Sequence, residues 1–136
     1  MSFGSQLGRF SKKAIERATV TKRSASLELF SAIVKETPVD KGVLRNNWFA
    51  NIGSGSVEVT GEGGETSAPT IAKIKQIVNE VELPEDLYLT NNLPYASTIE
   101  FDGHSKKARQ GMVRVNVARW DKMVTRAARR SRRDIP

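Results

Sequence analysis

Apolar residues recur at helical spacing near the start of the chain: Leu7, Phe10, Ala14 and Ala18, resumed by Leu27, Phe30 and Val34. This pattern predicts helix over residues 5–36. The β-branched run Thr19-Val20-Thr21 lies off the stripe, which predicts a kink or a break into two helices there. Pro38 ends the element by driving Thr37 out of αR geometry. Asp40-Lys41-Gly42 then makes a turn, in which Asp40 accepts backbone hydrogen bonds and Gly42 supplies positive φ.

Alternation follows. Trp48, Ala50 and Ile52 alternate with Asn47, Phe49 and Asn51, predicting a strand over 45–52. Gly53-Ser54-Gly55 turns the chain, and Val57 and Val59 predict a short return strand. Within residues 53–66 the glycines predict a mobile loop. Ile71, Ile74, Val78 and Val81 form the stripe of a helix over 69–81, with Pro69 in its first turn and Pro84 beyond its end. Leu87-Tyr88-Leu89-Thr90 is a third strand. Asn92 is placed to cap a short helix over 94–101, with Pro94 in the first turn and Asp102-Gly103 ending it. A polar, basic loop covers 103–110.

From Gly111 two patterns compete. Val113, Val115 and Val117 alternate like a strand, whereas Val113, Val117, Trp120, Val124 and Ala127 make a longer helical stripe. The longer pattern predicts helix over 111–130. The expected architecture is a single α+β domain over 1–136, with no internal repeat. A small, mostly antiparallel sheet is packed by a long N-terminal helix, a middle helix and a basic C-terminal helix, with Trp48 and Trp120 as core anchors.

Composition sharpens this. The 136 residues suffice for one core, but only 38% are hydrophobic and 7% aromatic, so assembly is expected to supply part of the stability. No apolar run approaches the roughly 20 residues of a membrane span. The N-terminal Met1-Ser2-Phe3-Gly4-Ser5 lacks the apolar core of a signal peptide. Without cysteine there are no disulfides and no thiolate metal sites, in keeping with assembly in the cytoplasm.

The net charge of +7 is uneven. Lys12, Lys13, Arg17, Lys22 and Arg23 load the N-terminal helix, and Arg119, Lys122, Arg126, Arg129, Arg130, Arg132 and Arg133 load the C-terminal segment. Residues 54–100 are mildly acidic. Docking on an acidic partner surface accounts for this polarity better than phosphate binding, although Arg119, Arg126, Arg130 and Arg133 share one broad helix side that could track a DNA backbone. No recognition-helix pattern, zinc knuckle or set of stacking aromatics accompanies that stripe.

Candidate chemistry is thin. Glu100, Asp102 and His104 could supply metal ligands, but no fourth ligand lies nearby and a solvated helix end explains them. His104 is the sole histidine, and Ser105 beside it is too close to act as its triad partner. The glycines of 53–64 lack the lysine and hydroxyl residue that end a phosphate loop. The expectation is therefore a protein that is not an enzyme and takes no cofactor. Tyr95, at a Pro-Tyr step opening a helix, suits a core and a shared subunit surface equally.

Two phrases carry more information. Thr37-Pro38-Val39-Asp40-Lys41-Gly42-Val43-Leu44-Arg45-Asn46-Asn47-Trp48 is the first. Asn91-Asn92-Leu93-Pro94-Tyr95-Ala96, leading through Ile99-Glu100-Phe101-Asp102-Gly103-His104-Ser105 to Gly111-Met112-Val113, is the second. In wording and order they resemble the neck and tail-completion (tail-terminator-like) proteins of tailed bacteriophages, across about 37–124. The chain departs from that pattern at Asp102, which separates the aromatic residue from its glycine.

The resemblance implies a structural virion subunit at the head–tail junction. It would form a ring, a hexamer or alternatively a dodecamer, through which double-stranded DNA passes without sequence specificity. Its other partners would be adjacent neck, head-completion and tail-tube proteins. Pro38, Asp40, Arg45, Asn92, Pro94, Tyr95, Glu100 and His104 are the expected interface residues, and the 53–65 loop a second contact surface whose ordering would time the join. A lumen lined by +7 per subunit would hold back the exiting genome, so the arginines are expected to face partners or the exterior. Neutral and acidic residues, those of the 54–65 loop among them, are expected to line the channel. The alternatives are a nucleic-acid-binding protein using the basic C-terminal helix and a transient tail-assembly factor.

Overall fold

The N-terminal helix α1 (Phe3–Glu36) is unbroken. In the computed structural model, residues 2–103 and 105–136 are described. The break into two helices expected at Thr19–Thr21 does not occur; both threonines lie within the helix, their hydroxyls bonding back to carbonyls four residues earlier, Thr19 to Ile15 and Thr21 to Arg17. Ser2 caps the start by accepting from Ser5 N. Thr37, extended before Pro38, ends it as expected.

After a single turn, α2 (Val43–Asn46), the chain enters β1 (Trp48–Ile52). The strand therefore starts later than the expected residue 45, since Gly42 at φ 80° turns residues 43–46 into helix. Helix α3 (Ala68–Val78), with Pro69 in its first turn, stops short of the predicted 81, and Val81 is buried beyond its end. Strand β2 (Leu87–Asn91) pairs antiparallel with β1, Trp48 opposite Asn91 and Ile52 opposite Leu87. The return strand at Val57 and Val59 does not form among the described residues. Val57 is 93% exposed, and side chains rather than a ladder hold the segment: Thr90 Oγ1 accepts from Ser56 N, and Asn92 Nδ2 donates to the Ser56 and Glu58 carbonyls.

Helix α4 (Pro94–Phe101) follows, ending at Asp102 and at Gly103 with φ 65°. The single C-terminal helix expected from the valine stripe is two: α5 (Val113–Val117) and α6 (Trp120–Asp134), parted at Ala118–Arg119. The buried line is Met112, Asn116, Met123, Ala127 and Ser131, while Val117 is half exposed. The valine stripe failed because polar Asn116 and Ser131 occupy inward positions with their hydrogen bonds made internally. Asn116 Nδ2 donates to Glu36 and to the Met112 carbonyl. Trp120 is only partly buried and lies outside the core cluster, contrary to its expected anchoring role.

The core gathers where the second half of α1 meets α3 and β1. Phe30, Ile33, Val34, Trp48, Ile74 and Val78 are its principal members, closed over by Ala96 and Met112. Trp48 fulfils its expected role: its indole Nε1 donates to Thr37 Oγ1 at 2.8 Å, and that hydroxyl donates to the Ile33 carbonyl at 2.7 Å. Thr37→Val keeps the shape but leaves the buried indole N–H unpaired, so denaturant unfolding is expected to show a loss of about 2 kcal/mol. In a Trp48→Phe background the same change should cost clearly less, because the orphaned donor is gone.

Helix α6 lies along α1. Thr21 Oγ1 sits 3.0 Å from Ser131 Oγ, Arg130 donates to Ser24 Oγ, and Arg126 pairs with Glu28. The contact ends at Arg17, whose Nε donates to the Ile135 carbonyl, and at Lys13, whose Nζ donates to the Pro136 carbonyl at 3.1 Å. Residues 3–16 of α1 are exposed throughout.

Candidate functional site

The two sequence phrases meet in space. Pro38, Val39, Asp40, Val43 and Leu44 from the first, with Tyr95, Ile99 and Ser105 from the second and Lys106 and Lys107 from the basic loop that follows, line one groove of about 610 Å³. Its floor is aliphatic, and Tyr95, 45% exposed, stands at its edge. Asp40 and the lysines 41, 106 and 107 form the rim. Asp40 accepts none of the turn hydrogen bonds expected of it among the described residues. It remains an exposed rim charge.

The glycine in the first phrase has a clear purpose. Gly42 has φ 80° and passes so close to Gly64 that a side-chain carbon would lie 2.8 Å from the Gly64 nitrogen. Residues 45–47 then strap the glycine loop in sequence. Arg45 Nη2 donates to the Gly64 carbonyl, Asn46 Nδ2 to the Glu62 carbonyl, and fully buried Asn47 exchanges two hydrogen bonds with the Thr60 backbone. The loop expected to be mobile is thus tethered at both its middle and its far end. Arg45, expected at a partner interface, has its guanidinium engaged within the subunit.

The second phrase is organised by Glu100. Rather than facing a solvated helix end, it is buried. Its carboxylate accepts from the backbone nitrogens of Met112, Val113 and Arg114 at 2.7, 2.7 and 3.1 Å. The Arg114 guanidinium adds an ion pair at 3.0 Å and lies 4.8 Å over the Phe101 ring. Burial alone would raise the Glu100 carboxyl, but these hydrogen bonds outweigh it and hold its pKa below the usual value. Glu100 is therefore committed to anchoring the start of α5.

Asn92 does not cap α4. Leu93 occupies that position, and Asn92 instead holds the 56–58 segment. Asn91, not singled out from sequence, ties β2 to the Leu44 carbonyl. Pro94 is exposed in the first turn of α4. His104 lies outside the described residues. Among the described residues, no cluster of three or more metal-ligating side chains forms, and no helix is long and apolar enough to cross a membrane.

The basic face is partly neutralised from within. Arg119 pairs with Glu36 at 2.9 Å, Arg126 with Glu28, and Arg133 with Asp134 at 3.3 Å. Arg129, Arg130 and Arg132 make no ion pair among the described residues and are exposed. Gly111, Arg114, Asn47 and Asn116 were missed from sequence. Gly111 and Asn47 stood inside the two phrases, so reading every polar and glycine position there as a tether would have found those two.

What these elements define is a small α+β domain with a two-stranded antiparallel sheet. Compared with protein-family models, curated proteins and solved structures, the chain matches none.

Proposed function

We propose that this protein is a structural subunit of the head–tail joint of a tailed phage, acting in neck or tail completion as a member of a ring around the DNA path. The observation that carries this reading is the convergence of the two phrases on one groove. Each phrase is also fixed by tethers of its own: Gly42 and Arg45–Asn47 hold the glycine loop, and Glu100 holds Gly111–Val113 at the start of α5. The groove has an aliphatic floor and a rim bearing three lysines, so it suits an acidic segment with an apolar tip, presented by the adjoining protein of the joint.

The internal ion pairs of Arg119, Arg126 and Arg133 weaken the rival reading of α6 as a DNA-tracking helix, since each pair removes a charge from the stripe. Deleting the gene from the phage and imaging lysates by electron microscopy tests the proposal. Filled heads and separate, unjoined tails are the expected result, and tails of uncontrolled length would narrow the role to the terminator. Normal infectious particles would overturn it.

A further inference from the structure

We infer that the exposed N-terminal arm of α1 docks on a second copy of this chain, in the groove between α3, β1 and residues 58–62. The arm presents Phe3, Leu7 and Phe10, which are 79, 52 and 67% exposed. With Ala14 and Ala18 they continue, in steps of four and three, the face that further along the helix is buried on α6 through Thr21 and Ala25. One continuous helix face is therefore covered over its second half and bare over its first.

The proposed seat is a groove of about 590 Å³, distinct from the one built by the two phrases. Trp48 and Ile74 lie at its base, Phe49 and Ile77 on its walls, and Val59, 59% exposed, on its rim. Glu58 and Glu62 also line it, against a single basic residue, Lys73 on α3. Charge is complementary: residues 54–65 contain three glutamates and no basic residue, whereas residues 3–17 contain four basic side chains and one acidic. Arg9 lies on one flank of the apolar stripe, one turn before Lys13, which also donates to its own subunit's Pro136 carbonyl, and Gly4, Gly8 and Ser11 on the other flank permit close approach.

The occupant must come from another molecule. Because α1 is a single unbroken helix, its arm cannot fold back onto its own subunit's groove without melting a turn. Arm and groove are different surfaces, so the contact is head-to-tail, the kind that closes rings by rotation. It deepens the ring reading proposed above and rests on it for its biological setting.

The absence of cysteine allows a direct test with the full chain. Ser11→Cys and Val59→Cys proteins are mixed at upper-micromolar concentration with a short bismaleimide, and products are mapped by mass spectrometry. A mixed cross-link, joining position 11 of one protein to position 59 of the other, is expected. Phe10→Asp in the arm partner should lower its yield about tenfold while leaving monomer melting unchanged, since Phe10 makes no core contact. Arg9→Glu should lower it about threefold, with recovery when Glu62→Arg is introduced in the groove partner.

Cross-links joining arm to arm alone, or no mixed cross-link, would overturn the contact. Unjoined heads and tails in the gene-deleted phage alongside a missing cross-link would refute the contact and leave the neck role standing. A robust cross-link alongside normal particles would do the reverse.

Discussion

Gly111→Ala is expected to lower stability by about 4 kcal/mol, a shift of roughly 12 °C in melting temperature for a domain of this size. Two penalties coincide there. Gly111 sits at φ 89°, where a side chain is strained. The added carbon would also lie 2.7 Å from Glu100 Cδ and 2.9 Å from the Glu100 carbonyl oxygen. Relieving that contact means pulling Glu100 away from the three backbone nitrogens it serves. The anchor of α5 and the end of α4 would loosen together, so hydrogen exchange should rise over residues 94–117 before the rest of the domain unfolds.

Glu100→Gln separates charge from space. It keeps the size of the side chain but removes the charge that the backbone nitrogens and Arg114 stabilise. A loss of about 2 kcal/mol at neutral pH is expected. Because the folded-state pKa of Glu100 is held below its unfolded value, the native protein binds fewer protons than the unfolded chain between the two. The stabilisation is therefore complete above about pH 4.3 and is lost as the pH falls through the folded-state value. Urea titrations of both proteins should converge in acid. A gap between them that stayed constant down to pH 2 would show that the carboxylate charge contributes nothing.

Asn47→Leu is expected to cost about 3 kcal/mol and to free the glycine loop. The side chain is fully buried, and its amide donates to the Val43 and Thr60 carbonyls while its oxygen accepts from Thr60 N at 2.9 Å. Leucine fills the space and strands three backbone groups. Limited proteolysis should then cut within residues 58–65, which the wild-type tethers protect. Cleavage there at equal rates in both proteins would mean that the Asn47 tether does not govern the loop.

The regular elements were legible in the sequence because their signals are local. Helix α1 announced itself by period, α3 by Pro69 and its isoleucines, and β2 by Leu87–Thr90. The failures occur where a polar side chain replaces a regular signal. Val57 and Val59 alternate like a strand, but Asn92 and Thr90 satisfy the neighbouring backbone, so no ladder is needed. The valine stripe after Gly111 outweighed the line through Asn116 and Ser131, because hydrophobicity cannot see a buried amide one of whose partners, Glu36, lies 80 residues away.

The groove shared by the two phrases was legible only as wording. The two phrases pointed to residues 38–48 and 91–113, and the structure brings parts of both together. Their individual roles were not readable. Arg45, Asn92 and Glu100 were expected to face a partner, yet each serves the subunit's own backbone. A motif records that a residue is required without saying whether the requirement is internal.

The unbroken course of α1 has a mechanical consequence. Its bare arm and its clamped half form one stiff rod, so a pull on the arm along the helix axis would slide α1 lengthwise against α6. The clamps at Arg17, Thr21, Ser24 and Glu28 are spread along that line and would be loaded side by side. Bonds loaded in parallel yield only when several give way at once, whereas bonds peeled from one end fail singly. The same subunit should thus hold firm against axial tension and give way far more readily when the arm is levered sideways.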